Sequence, residues 1–310
     1  MHTTLQKTFP AMGTVHTITL YGENHSELAE RMKREVLRMD RAWSVFRDDS
    51  TLSKLNRSAG IAEVSVDDDT FALLKASVLL CEQTDGAFDV TSGALSSLWR
   101  EAAKQGRTPE KAALQAAKKR VNARSIVLNE TDRKAYLPAV GQVVDFGGIA
   151  KGFAADRLRA MLLSEGVSDA LLNLGGTVTA IGQPVSIGVR NPFAPQSDPI
   201  GTLTVSNRSI VTSGSYERFY AIGGRRYHHI LDPRTGYPSE SGLVSVTLIG
   251  SNATELDALA TGIFVLGVEH GLPILKERNI DAIFVTITGE VLITETLKDM
   301  FSLRKDLCTA

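Results

Sequence analysis

The hydrophobic and polar positions of the chain predict short strands mixed with amphipathic helices. Polar and apolar residues roughly alternate over residues 15–20, which is the period of a half-buried strand. Apolar residues then recur every three or four positions, which predicts a helix over Ser26–Trp43 whose buried face carries Leu28, Met32, Val36, Met39 and Trp43. A second helical pattern covers residues 67–84. The first quarter of the chain therefore reads as a strand followed by helices.

The middle of the chain predicts a helical segment and a hairpin. Residues 96–121 are rich in Ala and Lys, which are strong helix formers, while Gly106 and Pro109 are expected to break this helix in two. We interpret the segment as a helical excursion on the surface of one domain that spans residues 1–310. Residues 125–137 form two strand-like runs around a polar turn, which indicates a hairpin.

The second half of the chain is dominated by short strand-like segments with Gly, Pro, Asn and Asp between them. They cover residues 169–176, 185–191, 201–207, 208–214, 216–224, 225–231 and 243–250. Two helical segments, 252–266 and 268–278, precede a terminal hairpin with its turn at Thr288 and Gly289. Because hairpins and helices come in runs and do not alternate, the order predicts an α+β fold with antiparallel sheets packed against helices.

Composition excludes several classes of protein. The 310 residues are 43% hydrophobic and 22% charged, as in a soluble globular protein, and the formal net charge is −1. This balance provides no overall basic field for nucleic acid or an anionic membrane, so we expect neither nucleic-acid binding nor direct membrane insertion. Cys81 and Cys308 are too far apart in sequence to suggest a disulfide framework or a metal site, and we expect a buried thiol and a tail thiol.

The amino terminus predicts a cytoplasmic protein. It contains no apolar core of signal-peptide length and no lipid-attachment cysteine. No other run approaches the roughly 18 apolar residues that would span a bilayer. The expected location is thus the cytoplasm for the sequence as it stands, and export if a leader was removed.

A glycine-rich turn is the first candidate site. A buried strand predicted over residues 143–146 runs into Gly147, Gly148, Lys151 and Gly152, and a helical pattern follows. The spacing fits neither a Walker loop nor a dinucleotide fingerprint. A strand-to-helix turn of this kind leaves amide groups unpaired at a helix start, and with a lysine these suit an anionic ligand. The alternative is a tight turn that only packs the helix on the sheet.

The second candidate site lies on the helix predicted after Asn252. Asn252 can cap this helix with Glu255 three residues on, which places Asp257 and Thr261 one turn apart on one face. A carboxylate and a hydroxyl offer two hard oxygen ligands suited to Mg²⁺. A solvated helix face is the alternative, although the neighbouring residues are apolar and a carboxylate beside a buried face needs a partner.

Two further segments have polar groups at turns. His229 precedes an Asp-Pro turn within residues 227–238, and Asp85 and Asp89 flank Ala87 and Phe88 within residues 85–93. On chemistry alone, both segments are also compatible with purely structural turns.

Eight ordered blocks together resemble one protein family. They are AMGT (11–14), SVFRDDSTLSKLN (44–56), DGAFDVTSG (85–93), VDFGGIAKGFAAD (144–156), NLGG (173–176), VTSGSYERFY (211–220), HILDPRTGYP (229–238) and DALATGIFVLG (257–267). The sequence is similar in these blocks, and in their order, to the ApbE flavin transferases, the FAD:protein FMN transferases. No single block is specific, whereas their number and order are.

The resemblance implies a T-fold-like α+β architecture and a reaction. FAD bound with Mg²⁺ or Mn²⁺ would be cleaved at its pyrophosphate; FMN would pass to a threonine or serine hydroxyl of an acceptor flavoprotein through a phosphoester bond, and AMP would leave. Two alternatives stay open: a Mg²⁺-dependent FAD pyrophosphatase that releases FMN and AMP, and a non-catalytic flavin-binding protein. The latter would be expected to lack the pair Asp257 and Thr261, which is present.

The resemblance also implies site residues. Asp257 and Thr261 match the side-chain metal ligands, with the backbone oxygen of Gly148 beside them. The implied contacts to the flavin nucleotide are Met12, Phe46, Ala87, Phe88, Asp89, Asp145, Lys151 and Leu231. His229 lies in the block nearest the reacting phosphate, so we expect it, with Asp257, to be catalytic, His229 as a candidate general base.

Overall fold

The chain folds into antiparallel sheets packed against helices, which confirms the predicted α+β class. The computed structural model describes residues 3–194 and 198–304, and every strand ladder within them is antiparallel. The helices are α1 Ser26–Trp43, α2 Thr51–Arg57, α3 Asp68–Gln83, α4 Gly93–Lys104, α5 Lys111–Lys118, α6 Ala150–Ser164 and α7 Ala253–Glu277.

The strands are mostly short and concentrate in the second half of the described chain. They are β1 Thr4–Ala11, β2 Thr14–Tyr21, β3 Val64–Ser65, β4 Val127–Asn129, β5 Lys134–Tyr136, β6 Ala170–Leu174, β7 Thr177–Ile181, β8 Val185–Val189, β9 Gly201–Val205, β10 Ser209–Gly214, β11 Phe219–Ile222, β12 Arg225–His228, β13 Leu243–Gly250, β14 Asp281–Thr286, β15 Val291–Ile293 and β16 Phe301–Leu303.

One eight-stranded sheet organises the molecule. Its order is β1-β2-β6-β7-β10-β13-β14-β15, and helices α6 and α7 pack against each other and against its central strands. The main apolar core lies between the sheet and these helices, while a second cluster fills the space between the sheet and the smaller sheet β16-β9-β8. β13 is buried along almost its whole length because it lies in the middle of this arrangement. A third cluster surrounds Trp99 on α4.

Most of the predicted elements are present. The helix over Ser26–Trp43 is confirmed with its predicted buried face, and Gly106 and Pro109 separate α4 from α5 as expected. The helical excursion is nevertheless anchored, since Trp99 and Leu114 are fully buried. The structure adds elements that we did not predict: β1, α2, β3, β7 and β16.

Helix α7 is the longest helix of the described chain and has two parts. Gly267 has a φ of 80°, which breaks the helical conformation and separates the two segments predicted from the sequence. By length and composition alone, α7 could cross a membrane, with a mean hydropathy of 1.6 over 18 residues. More than half of that window is buried inside the protein, and core helices meet the same criterion.

The buried strand expected over residues 143–146 is wrong. Val144 and Phe146 are buried, but only Val143 makes a bridge, to Ser92. Asn56 takes the place of a neighbouring strand: its side-chain amide donates to the Val144 carbonyl at 2.9 Å, and its oxygen accepts from the Val144 N–H at 2.8 Å. An asparagine side chain thus satisfies backbone groups that a ladder would otherwise pair.

Cys81 is buried, as expected. Burial, with the nearby Asp89 carboxylate, raises the pKa of its thiol to about 12, so the thiol stays protonated and unreactive. Cys308 lies outside the described residues.

Candidate functional site

The site begins where the first turns of α6 and α7 meet. Asp156 of α6 accepts hydrogen bonds from the N–H groups of Ala253 and Thr254 at 3.0 and 2.8 Å, so one helix caps the other. A Cβ on Gly152 would lie 2.1 Å from the Ala253 carbonyl oxygen and 2.8 Å from the Asp257 Cβ. Only glycine allows the two helices to approach this closely.

The close approach buries a carboxylate against a lysine. The Asp257 side chain is 4% exposed, and its Oδ1 and Oδ2 lie 3.3 and 3.4 Å from the Lys151 ammonium. Oδ2 also accepts the Gly152 N–H at 2.9 Å. A charge buried this deeply requires such partners, and Lys151 keeps 19% of its side chain exposed on the open side. The predicted residues Lys151 and Asp257 are therefore brought together.

Three further groups surround this pair. Thr261 Oγ1 lies 3.4 Å from the Asp257 carbonyl oxygen and 3.3 Å from Ser213 Oγ on β10. A Cβ on Gly148 would lie 3.1 Å from Thr261 Oγ1 and 3.4 Å from the Phe88 ring. Thr261 on α7 is thus the point at which the loop before α4, the loop before α6 and strand β10 meet.

The donor set consists of hard oxygens. Asp257 supplies a carboxylate, and Thr261 and Ser213 supply hydroxyls; Gly148 packs directly against Thr261. The described residues include no group of three or more His, Cys, Asp or Glu side chains that could hold a metal ion. One carboxylate with hydroxyl and backbone oxygens is a set that suits Mg²⁺ or Mn²⁺ shared with a substrate, and not a closed site built from side chains alone.

We expected unpaired backbone N–H groups in the glycine-rich turn before α6, but several of them are hydrogen-bonded within the protein. Gly147 N–H donates to Asp145 Oδ1 at 2.8 Å, and the Ile149 and Ala150 N–H groups donate to the Phe146 carbonyl at 3.0 and 2.9 Å. The Gly152 N–H also donates, to Asp257 Oδ2, so several donors of the turn are already used by groups of the protein itself. Positive charge for an anionic ligand therefore comes mainly from the Lys151 side chain.

His229 is held in one tautomer at the end of β12. Its backbone N–H and its Nδ1 lie 3.2 and 3.0 Å from the Arg218 carbonyl oxygen, so Nδ1 carries the proton that it donates there. Burial, with the positive charge of Arg218, lowers the pKa of His229 to about 4. The ring is therefore neutral at physiological pH, and Nε2 is a free base.

The Met12 turn lies beside a second histidine. Met12 has a φ of 48°, and its N–H donates to Asp40 Oδ1 at 2.9 Å, which holds this left-handed conformation. Residues 10–15 and Asp40 line an open depression of about 450 Å³. Beneath the turn, His16 is fully buried, and burial, with the charge of Lys151 adding to it, lowers its pKa. His16 Nε2 lies 2.8 Å from the carbonyl oxygen of Ala11, which lines the depression.

The remaining predicted flavin contacts occupy different environments. Ala87 and Phe88 are buried in the main core, and Leu231 is buried in the cluster around Trp99. Phe46 is 76% exposed, and the Arg100 guanidinium lies 4.8 Å from the centre of its ring. An exposed aromatic ring of this kind offers a stacking surface.

Both carboxylate oxygens of Asp89 accept hydrogen bonds from other groups of the protein. Its Oδ1 accepts the N–H and Oγ1–H of Thr91 at 2.7 and 2.5 Å, and its Oδ2 accepts the Ala123 N–H at 3.0 Å. Both carboxylate oxygens therefore fasten the loop after α3. The pattern is that of a structural carboxylate beside Ala87 and Phe88.

Sequence reasoning missed Ser213, Asp156 and Asp40. Ser213 lies 48 residues before Thr261, and no spacing rule joins them. Asp156 stands in the same sequence block as Lys151, although nothing in the sequence indicates that it caps another helix. Asp40 lies on α1, 28 residues from the amide that it accepts.

Comparison with known proteins identifies the family. The profile of the ApbE family matches residues 12–284, which is most of the chain. The chain belongs to the ApbE family. An FAD:protein FMN transferase from Klebsiella pneumoniae (strain 342) is 37% identical to this ApbE chain over 292 residues, covering 94% of this chain and 92% of that protein. One from Treponema pallidum (strain Nichols) is 33% identical over 297 residues, covering 88% and 82%.

The fold of this ApbE chain agrees with a crystal structure of a relative. The ApbE protein from Thermotoga maritima superposes with a TM-score of 0.87 at 31% identity, covering 96% of this chain and 99% of that one. This agreement extends across the large sheet and both site helices, because nearly the whole of each chain is matched.

Proposed function

We propose that this protein is an FAD:protein FMN transferase that moves FMN to a threonine or serine hydroxyl of an acceptor protein and releases AMP. The names of the curated relatives support flavin transfer. The observation that carries the proposal is the buried Asp257 carboxylate, which lies beside Lys151 and on the same helix face as Thr261. Here a carboxylate, a lysine and hydroxyls lie together. Such a set of groups suits a diphosphate and its metal.

Asp257, Thr261 and Ser213 would hold Mg²⁺, with Gly148 leaving room for it beside Thr261. A bound Mg²⁺ would supply neutralisation of the charge that builds up on the pyrophosphate. Lys151 would then share its charge between Asp257 and a phosphate oxygen, which its exposed side allows. Mn²⁺ would fit the same oxygens.

His229 would accept the proton of the acceptor hydroxyl. Because Nδ1 is committed to the Arg218 carbonyl, the lone pair of Nε2 is available, and the low pKa keeps it available at neutral pH. The hydroxyl oxygen would form a bond to the FMN phosphorus, the bond from that phosphorus to the bridging oxygen would break, and AMP would leave. In such reactions the protein contributes mainly position and charge.

The proposal is tested by incubating the protein with FAD and Mg²⁺, with and without a threonine-containing acceptor peptide. We expect AMP release together with flavin retained covalently on the peptide. AMP and free FMN without retained flavin would instead make the protein an FAD pyrophosphatase. FAD that binds and stays intact with every acceptor would indicate a flavin-binding protein without this activity.

A further inference from the structure

The Lys151 ammonium and a divalent cation would bind the same group, the Asp257 carboxylate. Lys151 Nζ lies 3.3 Å from Oδ1 and 3.4 Å from Oδ2 of Asp257, so it faces both oxygens. Oδ2 also accepts the Gly152 N–H at 2.9 Å, whereas Lys151 is the one donor to Oδ1 within the described part of the chain. Oδ1 therefore has more capacity for a metal ion, and the ammonium stands beside it.

The protein groups of this site carry no net charge together. Asp257 contributes one negative charge and Lys151 one positive charge, while Thr261 and Ser213 contribute neutral hydroxyls. In residues 3–194 and 198–304, Lys151 has no other carboxylate within 4.0 Å. Affinity for a hard divalent cation depends on the charge of its oxygen ligands. A free cation is thus offered a neutral set of groups, which is a weak site.

Burial makes this balance of charges strict. The side chain of Asp257 is 4% exposed and that of Lys151 is 19% exposed, so little water screens them. A divalent cation at Oδ1 would be repelled by the ammonium beside it. Asp257 with neither cation would be an uncompensated buried charge. Both cations can stay only if a second anion joins them.

We propose that Lys151 makes the site selective for a metal–diphosphate complex: it holds Asp257 against free Mg²⁺ and releases it when the FAD diphosphate takes over the ammonium. This inference rests on the proposed function and specifies the form in which its substrate binds. The exposed side of Lys151 allows the flexible side chain to turn from the carboxylate to a phosphate oxygen. Metal and diphosphate then each raise the affinity for the other by the same factor.

Binding of Mn²⁺, followed by electron paramagnetic resonance, tests this without any turnover. Mn²⁺ is titrated into the wild type, Lys151→Met and Lys75→Met, first alone and then with saturating ADP as the diphosphate probe. The Mn²⁺ bound by ADP itself is measured without protein. Lys75→Met is the matched control, because Lys75 also pairs with a carboxylate, that of Glu130 at 2.6 Å, but these two side chains are 63% and 65% exposed.

Mn²⁺ alone should bind Lys151→Met at least about fivefold more tightly than the wild type, because the ammonium no longer competes for Asp257. ADP should raise the Mn²⁺ affinity of the wild type by about tenfold or more, and this gain should shrink in Lys151→Met. Lys75→Met should behave as the wild type does. If Lys151→Met is unfolded by itself, Mn²⁺ alone should restore its circular dichroism, since the metal then compensates Asp257.

An affinity of Lys151→Met for Mn²⁺ alone that equals or falls below that of the wild type would overturn the inference, because Lys151 would then be only a phosphate ligand. So would a wild type that binds Mn²⁺ equally with and without ADP, a result that needs no variant. Failure of the proposed function gives a different result: the wild type would release no AMP from FAD with an acceptor, whatever its affinity for Mn²⁺.

Discussion

At the scale of single residues, the site is built around one buried charge. Asp257 is 3% exposed and depends on Lys151 and the Gly152 amide for its stability. Removing one partner of such a pair leaves an uncompensated charge, which costs about 3–5 kcal/mol. The pair therefore links the stability of the α6–α7 joint to the chemistry proposed for it.

Asp257→Asn should reduce Mg²⁺-dependent FAD cleavage by about 100-fold or more, since a neutral amide is a poor ligand for a hard cation. Glu255→Gln is the matched control: this carboxylate lies on the same helix but faces Arg278, at 3.3 Å. Steady-state AMP release measures both. Comparable activity of Asp257→Asn and the wild type would remove Asp257 from the metal site.

The lowered pKa of His229 predicts the pH dependence of FMN transfer. Its pKa of about 4, lowered from 6.5 chiefly by burial, keeps it neutral until the pH falls through about 4. A base of this kind gives a rate that is independent of its titration near pH 6–7 and falls only at the acid end. The pH profile of single-turnover transfer measures this. A change in the transfer rate near pH 6.5 that is lost in His229→Gln would contradict this, because the pKa of His229 would then equal that of a histidine in water.

Some of these residues were predictable and others were not. Asp257 and Thr261 follow from helical spacing, because four residues is one turn. Ser213 and Asp40 reach the site only through tertiary packing, across 48 and 28 residues. Local patterns contain no information on such contacts.

At the scale of elements, the site depends on how α6 lies on α7. Asp156 caps the first turn of α7, and Asn252 caps the same helix from its own side by accepting the Glu255 N–H at 3.0 Å. The cap from Asn252 was predicted from the sequence; the cap from the other helix was not. Two caps at one end fix both the height and the direction of Asp257 relative to Lys151.

Gly152→Ala should separate these helices. Its Cβ would meet the Ala253 carbonyl oxygen, and overpacking of this kind costs about 1–3 kcal/mol. Gly106→Ala serves as a control, because its φ of 67° strains alanine by about 1–2 kcal/mol in open space. Urea unfolding and AMP release measure the two effects.

Both glycine variants should lose stability, but only Gly152→Ala should also lose FAD cleavage. Full activity of Gly152→Ala would show that the spacing of α6 and α7 does not position the site.

The elements that were mispredicted share a physical cause. Residues 143–146 alternate in burial as a strand does, but the side chain of Asn56 supplies the hydrogen bonds of Val144, and only Val143 forms a bridge. β1 pairs with β2 over its full length, yet its polar outer positions and Pro10 hide it in the sequence, as is usual for an edge strand. Apolar periodicity reports burial and does not identify the backbone partner.

At the scale of the whole molecule, sequence blocks that lie far apart along the chain meet at one site. Segments from α6, β10 and α7 contribute to a site that no single segment contains. Their order in the sequence allowed the family to be recognised, and the comparisons confirm it. The way in which the sheet brings the blocks together required the structure.

Because the site joins separate parts of the fold, its ligands should stabilise the whole molecule. FAD with Mg²⁺ at about 100 times its dissociation constant should add about 2.7 kcal/mol to the free energy of unfolding. Thermal unfolding with FAD, with and without Mg²⁺, measures this in the wild type and in Asp257→Asn. The Mg²⁺-dependent part should vanish in the variant, and its persistence would place the metal elsewhere.

The most direct test of FMN transfer by this protein is mass spectrometry of an acceptor flavoprotein after incubation with the enzyme, FAD and Mg²⁺. We predict that one threonine or serine gains the mass of FMN less one water, in step with AMP release, and that Asp257→Asn abolishes the gain. An acceptor that keeps its mass while FAD is consumed, or one that is modified equally by Asp257→Asn, would contradict the account.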